Sequence, residues 1–311
     1  MLKEMQPVCP KLLHIVADSG DAMEPPCSAG GETITAAVAR LGSLRQSAHR
    51  FAFWIQLRGT AHAEAKEGRF RLRQGDWIAF DAGSAPELQA DRTGVSIALL
   101  LPAAHARRDA VALDYGLFPG HGRMSAGERR LVLRLWRAHA TRPASAEPAR
   151  TLRPLLLHLH HLQRELRVLL ERCPGRTATR KRQVLARMQR ARMLQAGNTH
   201  RSVRLDELAE LSRFSEWWVS KTFHTVYGET VQQASIRLRM ERARELLEQT
   251  SLSISELSEI CGFHDPCSFA RLFKQCHGLT ASRWRALHQV RGQIVSGRSP
   301  GSPAALAQAG T

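Results

Sequence analysis

Hydrophobic and polar residues alternate in short runs over the first hundred residues of this chain. The runs are separated by glycine, aspartate and proline, which favour turns. In one run Phe70 and Leu72 alternate with arginines, and Gln74-Gly75-Asp76 then turns the chain into a second apolar stretch. This pattern is typical of a β-hairpin, and regularly spaced strands of this kind predict a sandwich or barrel. The clearest predicted strands are residues 35–40, 51–59, 69–83 and 94–102.

The hydrophobic period becomes helical from Ser125 onward. Leucines recur at three- and four-residue spacing along 129–139 and again along 150–171, which predicts two amphipathic helices. The proline- and glycine-containing segment after them is polar, so an interdomain linker is expected at 173–180. Further helices are predicted at 182–196, 230–249 and 282–287.

An internal repeat occupies the C-terminal part of the chain. Residues 205–228 are echoed by 254–278, with one extra residue in the second copy. Each copy predicts a short helix, a tight turn and a second helix, which is the helix-turn-helix unit that reads DNA in many proteins. One copy alone would fit an ordinary helical hairpin, whereas two aligned copies predict two reading units. Equivalent pairs are Glu207 and Glu256, Leu208 and Leu257, Phe214 and Phe263, Lys221 and Arg271, Phe223 and Phe273, and Gly228 and Gly278.

A helix-turn-helix places particular demands on its residues. The two helices cross at a small residue, here Ala209 and Ser258, and the turn needs a residue that tolerates positive φ, which Gly262 supplies. In the first copy Arg213 stands at the turn, so a slightly altered turn is expected there at a cost of about 1 kcal/mol. The predicted apolar anchors are Leu208, Leu211, Phe214, Val219 and Phe223 in the first copy and Leu257, Ile260, Phe263, Phe269 and Phe273 in the second.

Charge is distributed unevenly along the chain, whose formal net charge is +17 over 311 residues. Residues 1–122 carry 13 basic and 13 acidic side chains, 123–172 carry 11 against 4, and 173–292 carry 20 against 11. A neutral first part attached to a basic remainder is expected of a protein with a polyanion-binding half. Basicity alone does not separate DNA from RNA or from an anionic membrane.

The outward positions of each second helix are candidates for contacts with DNA. Lys221 and Arg271 are equivalent, and such cations commonly read guanine edges in the major groove. Trp217, near a helix start, would contact base methyl groups or sugars. Other basic residues better suit phosphates, which position a protein without specifying sequence. These phosphate candidates are Arg182, Arg187, Arg190, His224 and Lys274.

Residues 237–285 resemble the DNA-binding domain of the AraC/XylS family of bacterial transcription regulators. The resemblance extends over about 180–288 and rests on the linker helix, both reading units, the Gly262-Phe263 turn and the Phe273-Lys274 pair. It implies two recognition helices in adjacent major grooves, about one helical turn apart. By position it implies base contacts from Trp217, Ser220 and Lys221 in the first unit and from Cys267, Ser268 and Arg271 in the second.

The same resemblance implies the organisation of the whole chain as an α+β protein of two domains. The segment 72–88 is similar to the Gly-Asp turn and following strand of the family's cupin-like β-barrel. Residues 1–172 would then form a sensing and dimerisation domain, with its two leucine-rich helices as dimer helices. Residues 181–290 would form an all-α DNA-binding domain after the linker, and 291–311 a disordered tail.

Partners and alternatives follow from this assignment. The expected partners are double-stranded DNA, a small-molecule effector, a second copy of the chain and, if the protein is an activator, RNA polymerase. No signal segment or run of about 18 apolar residues is seen, which predicts a cytoplasmic protein away from membranes. One alternative is a constitutive or partner-controlled regulator whose barrel only dimerises. A remoter one is a cupin enzyme with a DNA-binding appendage.

No metal, cofactor or catalytic residue is expected. Cys261, His264, Cys267, Cys276 and His277 have spacings that suggest zinc, but the helix-turn-helix explains them better. A metal-dependent cupin needs a His-x-His strand, and the strands here offer only His49 and His62-Ala63-Glu64.

Overall fold

The computed structural model describes residues 13–25, 33–46, 49–102, 116–143 and 147–295. Eleven strands lie in its N-terminal part and ten helices follow in the described residues, so the chain is β-rich first and helical afterwards. The strands are β1 Leu13–Ala17, β2 Ala22–Met23, β3 Ile34–Ala39, β4 Ser43–Arg45, β5 Arg50–Arg58, β6 Thr60–Ala65, β7 Gly68–Arg73, β8 Asp76–Phe80, β9 Glu87–Ala90, β10 Val95–Pro102 and β11 Gly120–Arg123.

The helices of the described residues are numbered here in chain order. They are α1 Ala126–Ala140, α2 Pro148–Leu162, α3 Arg164–Arg172, α4 Ala178–Gly197, α5 Leu205–Ser212, α6 Glu216–Tyr227, α7 Val231–Gln249, α8 Ile254–Ile260, α9 Pro266–His277 and α10 Ala281–Val295. None of them is long and apolar enough to cross a membrane.

The strands form two sheets. One has the order β1-β3-β10-β5-β8-β11 and the other β2-β4-β9-β6-β7, and neighbours are antiparallel except for β1 with β3 and β2 with β4. Strand β5 is apolar on both faces because it is covered on both. Trp54 contributes to the core between the sheets, whereas Phe53 faces a second core under α1 and α2. The described pairing leaves both sheets open, so the expected closed cupin-like barrel is not confirmed.

The leucine-rich segment 150–171 forms two helices and not the single predicted helix. Helix α2 ends at Leu162 and α3 begins at Arg164, with Gln163 between them. The Gln163 side chain accepts a hydrogen bond from the Phe118 amide at 2.9 Å and donates one to the Phe118 carbonyl at 2.7 Å. Gln163 is 1% exposed, so this pairing satisfies a buried main-chain segment at the break. The contact with Phe118, 45 positions earlier in the chain, therefore decides where the helix ends.

The chain divides into two compact units at a position that the sequence does not indicate. One unit comprises Met1–Asn198 and Val203–Val231, and the other Thr199–Ser202 and Gln232–Thr311. Helices α4, α5 and α6 thus belong to the same unit as the sheets, while α8, α9 and α10 form the other unit with most of α7. The predicted linker at 173–180 stays a prediction. The predicted tail begins within α10, and its residues 296–311 lie outside the described part.

Candidate nucleic-acid interface

The first repeat folds as two helices joined by a tight turn. Arg213 takes the left-handed conformation at φ 54° and ψ 48°, which reverses the chain after α5. The Phe214 amide then donates to the Ala209 carbonyl at 3.1 Å, closing the turn. Ser215 caps α6 by accepting a hydrogen bond from the Trp218 amide at 3.3 Å.

The second repeat closes its turn in the same way, with one more residue before its second helix. Gly262 has a φ of 71°, and the Phe263 amide donates to the Ser258 carbonyl at 2.9 Å. Asp265 caps α9 by accepting from the amides of Cys267 at 3.0 Å and Ser268 at 2.9 Å. The pKa of Asp265 is held below its usual value, chiefly by the hydrogen bond from the Ser268 hydroxyl and then by these amides.

The expected alteration of the first turn is wrong. Arg213 and Gly262 share the left-handed conformation, and their amides donate to Glu210 O at 3.1 Å and Glu259 O at 2.8 Å respectively. The arginine carries the steric cost of its Cβ, but its side chain is exposed and nothing forces the backbone elsewhere. Both turns therefore have a residue with positive φ at the same position and the same closing hydrogen bonds, although the second turn is one residue longer before its next helix.

Each turn is bonded to an arginine from a preceding helix, which the sequence analysis missed. Arg187 on α4 donates to the Arg213 carbonyl at 3.5 Å, and its guanidinium lies 4.8 Å from the centre of the Phe214 ring. Arg239 on α7 donates to the Gly262 carbonyl at 3.0 Å and lies 4.1 Å from the Phe263 ring centre. The repeat thus extends beyond its two-helix units to three helices.

The predicted small residues and most of the predicted anchors occupy the cores. Ala209 is 8% and Ser258 1% exposed where the helices cross. Ile260 is the wrong prediction, because 42% of it is exposed at the end of α8. Ile260 is the last residue of the short α8, and its side chain does not join the core of the second unit.

The first recognition helix, α6, presents its predicted base-contacting residues to solvent. Trp217 is 69% exposed, and Ser220 and Lys221 are exposed as well. The Lys221 ammonium lies 4.9 Å from the centre of the Trp217 ring, one helical turn away, so the cation and the ring occupy the same face. Trp218 points elsewhere and packs against Phe214, with 3.8 Å between the ring centres and 32° between the ring planes.

The second recognition helix, α9, presents a smaller and more polar surface. Cys267 and Arg271 are exposed, and Ser268 is half-buried. The Ser268 hydroxyl donates to Asp265 Oδ2 at 2.6 Å, which leaves its oxygen able to accept from a base edge. The cap itself was missed, although an aspartate before a proline at a helix start is a recognisable sequence signal.

The predicted phosphate contacts divide into two groups. His224 on α6 and Lys274 on α9 are exposed. On α4, Arg182 is half-buried and Arg187 holds the first turn. Arg190 differs from the expectation, because its Nε donates to Oε1 of the fully buried Glu67 at 2.7 Å. The Arg190 guanidinium is therefore bonded to the turn between β6 and β7.

The cysteines and histidines of the second unit do not gather around one point. Cys261 is buried, and burial raises the pKa of its thiol to about 11, whereas Cys267 is exposed. No group of three or more potential metal ligands occurs among the described residues. His62 lies 3.4 Å from Asp91 on the sheet surface.

Comparison with known proteins addresses the repeat region. Residues 208–287 match the family described as a helix-turn-helix domain. The chain is 36% identical over 90 residues to the transcriptional activator RhaR of Enterobacter sp. (strain 638), a match covering 29% of this chain and 32% of RhaR. It is 31% identical over 98 residues to the transcriptional regulator CdhR of Pseudomonas aeruginosa, covering 32% of this chain and 29% of CdhR.

A solved structure is similar to about a third of the chain. It is a transcriptional regulator described as having an AraC-type DNA-binding domain, from Chromobacterium violaceum, and it is 26% identical. The match covers 33% of this chain and 91% of that structure, with a TM-score of 0.32.

The chain carries an AraC-type helix-turn-helix domain. The matches span about a third of the length of the curated relatives, and those relatives are named as regulators of transcription. Within the AraC-type domain, the two repeats are its two helix-turn-helix units, and α6 and α9 are their second helices. The N-terminal sheets lie outside residues 208–287, which the family model matches.

Proposed function

We propose that this protein is a sequence-specific DNA-binding regulator of transcription that reads two adjacent major-groove sites with α6 and α9. The observation that carries the proposal is the pair of helix-turn-helix units closed by equivalent hydrogen bonds, each with an exposed cation at the equivalent position, Lys221 and Arg271. A helix of this kind fits the major groove, where arginine or lysine can bond guanine O6 and N7. The proposed base contacts are Trp217, Ser220, Lys221, Cys267, Ser268 and Arg271.

The proposed contacts differ in what they contribute. Lys274 and His224 lie one turn farther along α9 and α6 than the readers, where phosphates would flank a helix in the groove. Phosphate contacts would set affinity and its dependence on salt, whereas Arg271 would set preference at one base pair.

The test uses the full-length protein and DNA sites enriched from a random library. Changing Arg271→Ala should cost about 1–3 kcal/mol on the enriched site and relax the preference at one position. Lys274→Ala is the matched control, since it should weaken binding to all sequences and reduce the salt slope by about 1. Equal loss for Arg271→Ala on specific and random DNA would contradict the base-reading assignment.

The N-terminal part is proposed as a cupin-like sensing domain over 1–172, followed by a linker at 173–180 and a DNA-binding domain over 181–290. Two packed sheets with an apolar core support a ligand-responsive module of this kind. A screen of small aromatic compounds, sugars and amino acids against the full-length protein should find one that raises its unfolding temperature and alters DNA affinity. An effector that raises the temperature without altering DNA binding would favour a constitutive regulator.

Homodimerisation is proposed through α1 and α2. Leu131 on α1 is 42% exposed and Leu157 on α2 is 36% exposed, which supports a contact with a second copy. Sedimentation should show a dimer that Leu131→Glu with Leu157→Glu converts to a monomer. A monomeric native protein at micromolar concentration would overturn it. Because the similar protein RhaR is a transcriptional activator, we also propose activation, with RNA polymerase as the partner. Transcription assays on a bound promoter would test the sign of regulation.

A further inference from the structure

A fully buried carboxylate lies at the tip of a hairpin. The turn between β6 and β7 contains Glu67, which is 0% exposed. Hairpin tips are ordinarily solvated, and a carboxylate is costly to bury without a cation. Glu67 Oε1 accepts from Arg190 Nε at 2.7 Å and from the Ser84 hydroxyl at 2.8 Å. The other oxygen, Oε2, has no hydrogen-bond partner among the described residues, so Arg190 provides the compensating charge.

The main chains of the same two elements also meet. Asn198, directly after α4, donates from Nδ2 to the Glu67 carbonyl at 3.1 Å. A Cβ on Gly68 would lie 2.5 Å from the Gly197 carbonyl oxygen, and a Cβ on Gly197 would lie 2.5 Å from the Glu67 carbonyl oxygen. Backbone touches backbone at this point, so the hairpin cannot shift without moving the end of α4.

Helix α4 belongs to two cores at once. Its residues Val184 and Met188 pack with Leu208 of α5 and Val219 of α6. Met193, one and a half turns farther on, lies in the core between the two sheets. The helix is continuous over Ala178–Gly197, so movement of its end displaces the first helix-turn-helix unit as a body.

We propose that Glu67 and Arg190 form a latch that positions α6 for reading its half of the DNA site. The proposal rests on the DNA-reading function given above. The latch joins the hairpin to the helix that carries the first unit, so anything that moves the β6–β7 turn changes how α6 meets DNA. Because α8 and α9 belong to the other compact unit, the half-site that α9 reads depends less on Glu67.

The experiment measures selectivity for each half-site separately. An enriched site is prepared intact and with either half scrambled, and Lys221→Ala and Arg271→Ala assign the halves to α6 and α9. In Arg190→Met, discrimination against scrambling of the α6 half should fall about tenfold, with the α9 half changing less than about twofold. Lys181→Met is the matched control: it removes one positive charge from the same helix, where Lys181 forms an exposed pair with Glu171 at 3.1 Å.

A second variant separates loss of half-site selectivity from loss of stability. Arg190→Met alone leaves a buried carboxylate without its cation, which is strongly destabilising. The double variant Glu67→Gln with Arg190→Met removes both charges and should recover the native unfolding temperature while keeping the loss of α6-half selectivity. Hydrogen exchange at the end of α4 should be faster in it than in Lys181→Met.

The outcomes separate the latch from the function on which it rests. Specific DNA binding in which the double variant keeps its selectivity for both halves overturns the latch alone. Equal losses on both halves also overturn it, since they indicate a general structural role. Absence of specific DNA binding by the native protein overturns the proposed function itself.

Discussion

The two helix-turn-helix units place different residues at the positive-φ position of their turns. In the second unit Gly262 is required twice, because its φ is 71° and because a Cβ would lie 2.5 Å from the His200 carbonyl oxygen. In the first unit Arg213 adopts φ 54° with its side chain exposed. Packing around the turn therefore decides whether glycine is obligatory there. The strain of a positive φ alone does not exclude another residue, as Arg213 shows.

The arginines that bind the two turns differ in burial, and the arginine of the second turn is the more buried. Arg239 is 8% exposed, and burial lowers the pKa of its guanidinium from its usual value. Arg187 is half-buried and makes a longer contact of 3.5 Å, against 3.0 Å for Arg239. The second turn is thus held inside its unit, and the first is held at the surface of a unit that includes the sheets.

The largest expected effect is at Gly262. Gly262→Ala should lower the free energy of unfolding by at least about 3 kcal/mol, because strain and a clash with backbone combine. Gly278→Ala is the matched control, since the φ of Gly278, 74°, is within a few degrees of that of Gly262 but nothing lies within 4 Å of the added Cβ. That control should cost about 1 kcal/mol. Denaturant unfolding followed by tryptophan fluorescence measures both, and equal costs would contradict the role given to His200.

The next effect separates the two arginines. Arg239→Met should cost about 1–3 kcal/mol, because the part-buried carbonyl of Gly262 loses a charged donor. Arg187→Met should cost less than about 1 kcal/mol, because its hydrogen bond is longer and partly solvated. Hydrogen exchange of the Phe263 and Phe214 amides reports each turn locally. Similar changes at the two amides would remove the distinction between a buried and a surface support.

A smaller effect of opposite sign is expected at the first turn. Arg213→Gly should raise the free energy of unfolding by about 0.5–1 kcal/mol, because the left-handed strain is relieved where no packing is lost. The measurement is the same unfolding titration, with Ser202→Gly as a control for added chain flexibility at another exposed site. A loss of stability would mean that the arginine stem supports the turn.

The smallest effect concerns the caps and depends on pH. The folded state lowers the pKa of Asp265, so its stabilising contribution is complete above the unfolded value of about 4 and is lost as pH falls through the folded value. Asp265→Asn should change little at pH 7 but flatten the acid-induced loss of α9 structure. Ser215→Asn at the first cap should leave the acid profile unchanged, since serine does not titrate. Circular dichroism between pH 7 and 2 measures both.

Local sequence signals predicted the elements with strong periodicity. The repeat, its crossing residues Ala209 and Ser258, and strands such as β5 and β10 were evident because side-chain pattern and secondary structure repeat together. The short strands β2 and β4 were missed, since two or three residues carry no measurable period. The break at Gln163 was missed because its cause is a bond to Phe118, 45 positions away.

The candidate interface was predicted in its exposed part and missed in its supports. The exposure of Trp217, Lys221 and Arg271 was predicted because they occupy the helix positions that do not face the core. Helical periodicity alone identifies those positions. The hydrogen-bond partners of Arg187 and Arg190 could not be predicted in this way. A surface arginine that binds phosphate and one that binds a carbonyl or a carboxylate have the same local sequence.

The sequence by itself determined that this chain has a β-rich first part, a basic helical second part and two copies of a helix-turn-helix, because these features arise from local periodicity and composition. The tertiary structure decided which contacts secure each copy. It placed Glu67 against Arg190, 123 positions apart, and joined the first copy to the sheets. Such a pairing depends on how separate elements pack, and no local pattern carries that information.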